Sequence, residues 1–452
     1  MEGQPPPEAQ WDSNWPGERE PSHRDVEAAS QVPEAAWLSD FKACLMASED
    51  APGVEDLMHL DLRLPNESEI TRLRDVFVDC SRDHVFLNRL HIYASQQEQV
   101  AAPPSFAIAC LASVHCRHAK TEARDLFLAS RGLCGSLMEI DNAESRSPDL
   151  LVAATLNSMY GALSSDPDIW DKAGQTLCTA VTTIHFDLSA VLFTSKELCT
   201  PMPTSLFDFQ DVYLVLLSGD KSAYPLPPGR GGGLDSEDGL LLLMALMSDL
   251  LYLRQSFERV SHPMKSFDRG EIRYNPFIPF TPHMEQDHME ARISLALETW
   301  HGWFEADTSS EVLALYHYSR IYLSFDRLLT LPSLSGYGGQ DSAANLPDGI
   351  SITDEVVREA WRVLDSATAR TEPAWATRLC PIWLPIVVFH AGLVVWAHHV
   401  LHTDASHRHA ENESVRVLQA FKVELDVMPW PCCTEMAATL GRLIEARVHR
   451  KG

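Results

Sequence analysis

No C-x-x-C pair occurs in the chain, although it holds ten cysteines. Tetrahedral zinc modules need closely spaced thiolates, or paired cysteine and histidine. Residues 1–56 carry a single cysteine, Cys44, so a zinc cluster at this end is excluded. Cys432 and Cys433 are adjacent and bridge each other only with strain. Scattered thiols of this kind are expected of a reduced intracellular protein. H-E-x-x-H, G-x-S-x-G, G-x-G-x-x-G and an H-x-E joined to P-C-x-x-C are also missing. Their absence removes the common metallopeptidase, serine hydrolase, dinucleotide and deaminase signatures. The chain is therefore expected not to be an enzyme. No catalytic residue, cofactor or metal is assigned.

Basic charge is scarce as well. Lys and Arg number 36 against 63 Asp and Glu, a net charge of −27. Duplex DNA is bound largely by Lys and Arg that displace its counterions. The one basic cluster is terminal: Arg447, His449, Arg450 and Lys451. It reads as a solubilising helix end, with a weak nuclear-import signal as the alternative. Direct nucleic-acid binding is not expected. The first residues show no basic-then-apolar leader pattern. Gly229-Arg230-Gly231-Gly232-Gly233 lacks the Gly-Lys-Ser/Thr ending of a phosphate loop and runs into Asp235, Glu237 and Asp238. The stretch 224–239 is expected to be a loop.

What the chain does have is apolar residues at helical spacing. Ile70, Leu73, Val76 and Phe77 share one helical face. Pro103 and Pro104 open a helix holding Phe106, Ile108, Leu111 and Val114, and a second follows with Ala123, Leu126, Phe127 and Leu133. Ser147 and Pro148 suit the N-cap and first position of a third, which breaks at Ser164-Ser165-Asp166-Pro167 before another begins near Asp168. Further helices are expected over 240–257, 284–304 and 310–331, then a Gly/Ser loop over 333–345. Ile382–Leu401 is the most hydrophobic stretch and near a membrane span in length. Pro385, His390 and the paired His398-His399 favour a buried core helix instead, so no membrane association is expected. His398 and His402 stand one helical turn apart, near His399, His407 and His409, but no third metal ligand is placed by spacing.

Residues 1–56 differ in kind. Their only Lys or Arg residues are Arg19, Arg24 and Lys42, and aromatic and apolar residues are interspersed at Trp11, Trp15, Trp37, Leu38, Phe41, Leu45 and Met46. This acidic and hydrophobic mixture is typical of activation segments, whose anchors stay solvated until a partner groove takes them. Trp37, Leu38 and Phe41 are the candidate partner-binding residues. The alternative is a solvated tail with one short helix near Trp37–Met46. The resulting expectation is an all-α protein: a largely disordered acidic segment at 1–56 and one large irregular helical domain at 57–452, with a Pro/Gly-rich connection near 200–239.

The order of these helices resembles the fungal-specific transcription factor domain, the helical region found behind zinc-cluster or zinc-finger DNA-binding modules. Tyr160-Gly161 matches the Gly after a Tyr that ends the family's long helix. Asp168-Ile169-Trp170-Asp171-Lys172-Ala173 matches its acidic-aromatic-x-x-Ala helix start. Phe86, Leu87 and His91 match an aromatic turn at the entrance to the core, without the usual Pro. After Val181 a Trp-bearing helix with Glu-x-x-Arg-Arg is missing. The rear half agrees again: a Trp helix, then LYHYSRIYL, then Phe389-His390-Ala391 with Trp396-Ala397, then a closing MPWPCCTEMAATLGRLIE. The resemblance covers about residues 60–446. It implies a nuclear regulator, also possible in the cytoplasm, that lacks its own DNA-binding module. Such a protein acts through a DNA-bound transcription factor or the transcription machinery, as a homo- or heterodimer. It controls a fungal pathway gene cluster, commonly for a secondary metabolite. The alternative reading is an α-helical enzyme or small-ligand-binding protein with a pocket between helices.

Overall fold

The computed structural model describes residues 62–174, 206–219, 236–261, 282–402 and 408–449, apart from short stretches at 83, 85–89, 91–93, 96–100, 117–119, 141–147, 339–345, 348–349 and 370–378. Among the described residues there is no strand, and helices dominate. The all-α expectation holds.

The first layer is built by α1 (Glu67–Ser81), α2 (Ala102–His115), α3 (Lys120–Ile140) and α4 (Pro148–Ala162). Asn66 caps α1, its side chain accepting from Glu69 N. Leu73 and Phe77 on its inner face are fully buried. Prolines in the first turn of α2 remove donors that a helix start leaves unpaired anyway. This helix is buried almost throughout, between α1, α3 and α4. A buried polar chain joins three of these elements: Asn157 Nδ2 donates to Ser130 Oγ at 2.9 Å, and Ser130 Oγ donates to Pro103 O at 2.8 Å.

The chain's exit from α4 depends on one close approach. A Cβ on Gly161 would lie 2.0 Å from Ala173 Cβ and 3.3 Å from the Ile169 carbonyl. The helical stretch at 167–174 thus crosses α4 in near backbone contact. Ile169 and Ala173 are buried there, whereas Trp170 is exposed.

The second layer holds α5 (Leu206–Ser218), α6 (Ser236–Ser261), α7 (Pro282–Phe304) and α8 (Ser310–Ser324). Three sequence expectations change here. Helix α5 lies inside the connection expected near 200–239, carried by Val212, Tyr213 and Leu216 at helical spacing. Helix α6 begins at Ser236 instead of after 239, because Glu237 and Asp238 suit a helix start. Gly239 in that first turn admits α7: Trp300 Nε1 donates to Gly239 O at 2.6 Å, and a Cβ would sit 2.8 Å from Phe304. Helix α8 also stops short of residue 331. Phe325 turns extended and buries its ring, and a 3-10 turn (Leu328–Thr330) and short α9 (Leu331–Leu334) follow. Gly336 and Gly338, both at positive φ, turn the chain beyond α9.

The rear half is α10 (Asp354–Thr368), α11 (Leu384–His402), α12 (Arg408–Val427) and α13 (Pro431–His449). Helix α11 has the length and composition of a membrane span, yet most of it is buried inside the fold. It packs against α8, α9, α10, α12 and α13. Two bonds tie front to rear, Leu379 N to Cys80 O at 3.1 Å and Cys432 N to Leu163 O at 3.0 Å, and within the rear half Trp430 Nε1 donates to Cys380 O at 3.0 Å. Cys380, Cys432 and Cys433 are buried free thiols beside that strap, and burial drives the Cys433 thiol well above its ordinary pKa.

The Gly161 contact is directly testable. Gly161→Ala is expected to lower stability by about 1–3 kcal/mol, because the new methyl forces α4 away from residues 167–174. Urea unfolding reads this, and adding Ala173→Gly is expected to recover part of the loss. Full stability in Gly161→Ala alone would show that the crossing is loose.

Candidate functional site: a polar hub on helix α8

A largely buried polar assembly is carried by α8, in the run Leu315-Tyr316-His317-Tyr318-Ser319-Arg320-Ile321-Tyr322. Successive side chains leave a helix 100° apart, so this run points to several neighbours at once. Tyr316 stacks on Trp300 of α7, ring centroids 5.4 Å apart and 17° from parallel. His317 Nδ1 lies 2.7 Å from Glu359 Oε2 of α10. Tyr318 Oη lies 2.9 Å from His390 Nδ1 of α11. Arg320 reaches Glu298 of α7 at 3.5 Å and Glu355 of α10 at 3.6 Å. Tyr322 lies under the Arg254 guanidinium of α6, 5.1 Å from the ring centroid, and Arg254 also donates to Leu323 O at 2.6 Å. One helix thereby fixes four others by polar contacts.

The charges divide into two kinds. Burial alone would raise the Glu359 pKa. The His317 hydrogen bond and charge, with Arg362 and Arg320, outweigh it and hold the carboxyl below the usual range. Arg362 donates to Glu359 Oε1 at 2.8 Å, so both carboxylate oxygens are engaged. His301 of α7 stands nearby, its ring centroid 4.6 Å from Tyr316 and 6.4 Å from His317, and burial lowers its pKa. The other kind is the Tyr318–His390 contact. Burial holds His390 neutral, with a pKa down at about 4, and pushes the Tyr318 phenol above its ordinary value. Both groups are neutral, so the contact carries no charge near neutral pH.

Chemically, the hub orients and locks. A carboxylate-held imidazole is also half of a proton-transfer device. Among the described residues His317 meets Glu359 and the rings of His301 and Tyr316.

The candidate partner-binding residues Trp37, Leu38 and Phe41 lie outside the described residues, as do His91 and His407. His398 and His402 are described: their rings stack at 4.1 Å, and His398 Nε2 lies 3.2 Å from Asp354 Oδ1. Among the described residues no three His, Cys, Asp or Glu side chains already gather as a metal site. The hub itself escaped sequence reading because its members are 42 and 72 residues apart. The available signal was Glu359 on the inward face of an amphipathic helix.

No family model, no curated protein and no solved structure matches the chain.

The hub predicts an acid-sensitive step. His390 has a folded pKa of about 4 against 6.5 unfolded. The unfolded chain therefore binds the extra proton first. Stability is full above pH 6.5 and falls as pH drops toward 4, by about 3 kcal/mol at about 1.4 kcal/mol per pKa unit. Glu359 adds a loss at lower pH, once its carboxylate is protonated. Urea unfolding from pH 7.5 to 4 is expected to show the His390 slope, and His390→Gln is expected to flatten it. An unchanged slope in the variant would assign the acid sensitivity to other groups.

Proposed function

We propose that the chain is a transcriptional regulator that works without a DNA-binding module of its own. Its helical domain serves as a regulatory and partner-binding body, and its acidic N-terminal segment contacts a DNA-bound factor or the transcription machinery. The controlled genes are a fungal pathway cluster, with secondary metabolism as the first candidate, and the compartment is the nucleus.

One observation carries most weight. The residues on which the family resemblance rests behave as packing units in an all-helical fold. Gly161 of Tyr160-Gly161 meets Ala173, the last residue of the matching helix start. The LYHYSRIYL run forms the polar hub, and its Tyr318 meets His390 of Phe389-His390-Ala391. Cys432 of the closing motif straps the two halves together through Leu163 O, and Trp430 beside it bonds Cys380 O. A resemblance by chance has no reason to select mutually contacting residues. The acidic balance of the chain and the lack of a zinc-binding pattern support action through a partner instead of directly on DNA.

The experiment fuses the full chain to a heterologous DNA-binding domain and measures a reporter. Activation is expected, and replacing Trp37, Leu38 and Phe41 together by Ala is expected to reduce it severalfold without changing helical content by circular dichroism. Full activation by the triple variant would contradict the role given to these anchors. A silent fusion would count against an activating segment altogether.

A further inference from the structure

Arg254 of α6 is buried with part of its hydrogen-bonding capacity unused. Its side chain is only 7% exposed, among α6, α7 and α8. A guanidinium carries five N–H donors and a charge that is costly to hold in a dry interior without partners. Here Nη2 donates to Leu323 O at 2.6 Å, and the Tyr322 ring centroid lies 5.1 Å from the guanidinium carbon. Nε and Nη1 are buried and have no hydrogen-bond partner among the described residues. Glu290 of α7 stands 3.7 Å from Nη2, beyond hydrogen-bonding distance. Its Oε1 accepts instead from Gln286 Nε2 at 3.0 Å. Nη2 has two hydrogens and gives one to Leu323 O. The other points along an edge shared with Nε or with Nη1. Both of these are unpartnered, so a two-pronged edge of the guanidinium is open in either case.

We propose that Arg254 anchors a binding site for a small organic acid, whose carboxylate takes that open edge. A planar carboxylate matches the two-pronged edge with two parallel, charge-assisted hydrogen bonds. Phosphate carries more negative charge and is disfavoured by the neighbouring Glu290 and by the net charge of −27. The body of the acid is apolar. Tyr322 offers it a flat aromatic wall, and Leu250 and Ile293, one turn from Arg254 and Glu290 on their own helices, are buried apolar residues. Nε and Nη1 are covered in the present state, so the acid enters by displacing the Glu290 carboxylate. Glu290 and Gln286 are half-buried and turn outward together as it does so. Occupation satisfies the donors that the fold leaves open and ties α6 to α7 and α8 through one ligand. The site stands on the geometry of Arg254 and does not depend on the regulatory reading.

The test uses the purified full chain. Sodium hexanoate and sodium benzoate are titrated by calorimetry and thermal unfolding, with hexanol and benzyl alcohol as their neutral counterparts and inorganic phosphate as the second anion. At least one carboxylate is expected to bind at a single site and raise the unfolding midpoint, and its alcohol and phosphate are expected to bind more weakly. Arg254→Lys keeps the charge and loses the two-pronged edge, so it is expected to weaken carboxylate binding at least about tenfold. Glu290→Gln removes the competing carboxylate at a half-buried position and is expected to fold normally and tighten binding severalfold. Arg358→Gln, at an exposed arginine of α10, is expected to bind as the parent does. Failure of both carboxylates to bind the parent below about 10 mM overturns the proposal. So does equal binding of the matching alcohol, tighter binding of phosphate, parent-like binding in a folded Arg254→Lys, or loss of binding in Arg358→Gln. If Arg254→Lys fails to fold by circular dichroism, Glu290→Gln decides, and unchanged or weaker binding in it overturns the proposal.

Discussion

Helix α11 is apolar on every side, and the rest of the rear half is arranged to enclose it. From Leu384 to Ala397 nearly every side chain is buried, with only Ile386 partly open. A helix with no polar face cannot lie on a surface, so it must be surrounded. Five helices do this. Gly392 marks where they come closest: a Cβ there would be 3.2 Å from Phe421 of α12 and 3.4 Å from Leu440 of α13. The one titratable group inside the enclosed length, His390, is tolerated because it is neutral and bonded to Tyr318. Burial of an unpaired charge at that point would cost several kcal/mol, on the order expected for an ion removed from water.

The enclosure also explains why α8 is polar where it is. It touches α11 on one side and faces α6, α7 and α10 on the others. Its tyrosines and histidine make long-range contacts that are directional, unlike the apolar contacts around α11. Such contacts select one arrangement of helices among several that would bury similar area. The front layer uses a different device. There Gly161 sets the close crossing of α4 with residues 167–174, and the Asn157–Ser130–Pro103 chain joins α4, α3 and α2. The bonds to the Leu163 and Cys80 carbonyls then join the front to the rear half.

Much of this was legible in the sequence, for identifiable reasons. Helical periodicity located α1, α4 and α7 closely, and proline placed the starts of α2 and α4. The buried character of α11 followed from Pro385, His390 and the paired histidines inside an apolar run. Helix α5 was hidden by its Pro/Gly-rich surroundings, and the end of α8 by apolar residues that continue past Ser324 in a different conformation. The hub was invisible because periodicity finds faces and not partners: Glu359 reads as one more acid until α10 is laid against α8. The same limit applied to Asp354, whose place beside His398 depends on two helices meeting end to side. The N-terminal anchors were chosen on composition, which speaks to chemistry and not to position.

The account's central claim is that the helical body regulates genes through a partner. The most direct measurement is a genome-wide transcript profile of the source organism lacking this gene, against the parent strain. The account expects a coordinated change in one neighbouring set of pathway genes. A profile with no coordinated change would contradict it, and would move the chain to the class of helical enzymes or ligand-binding proteins.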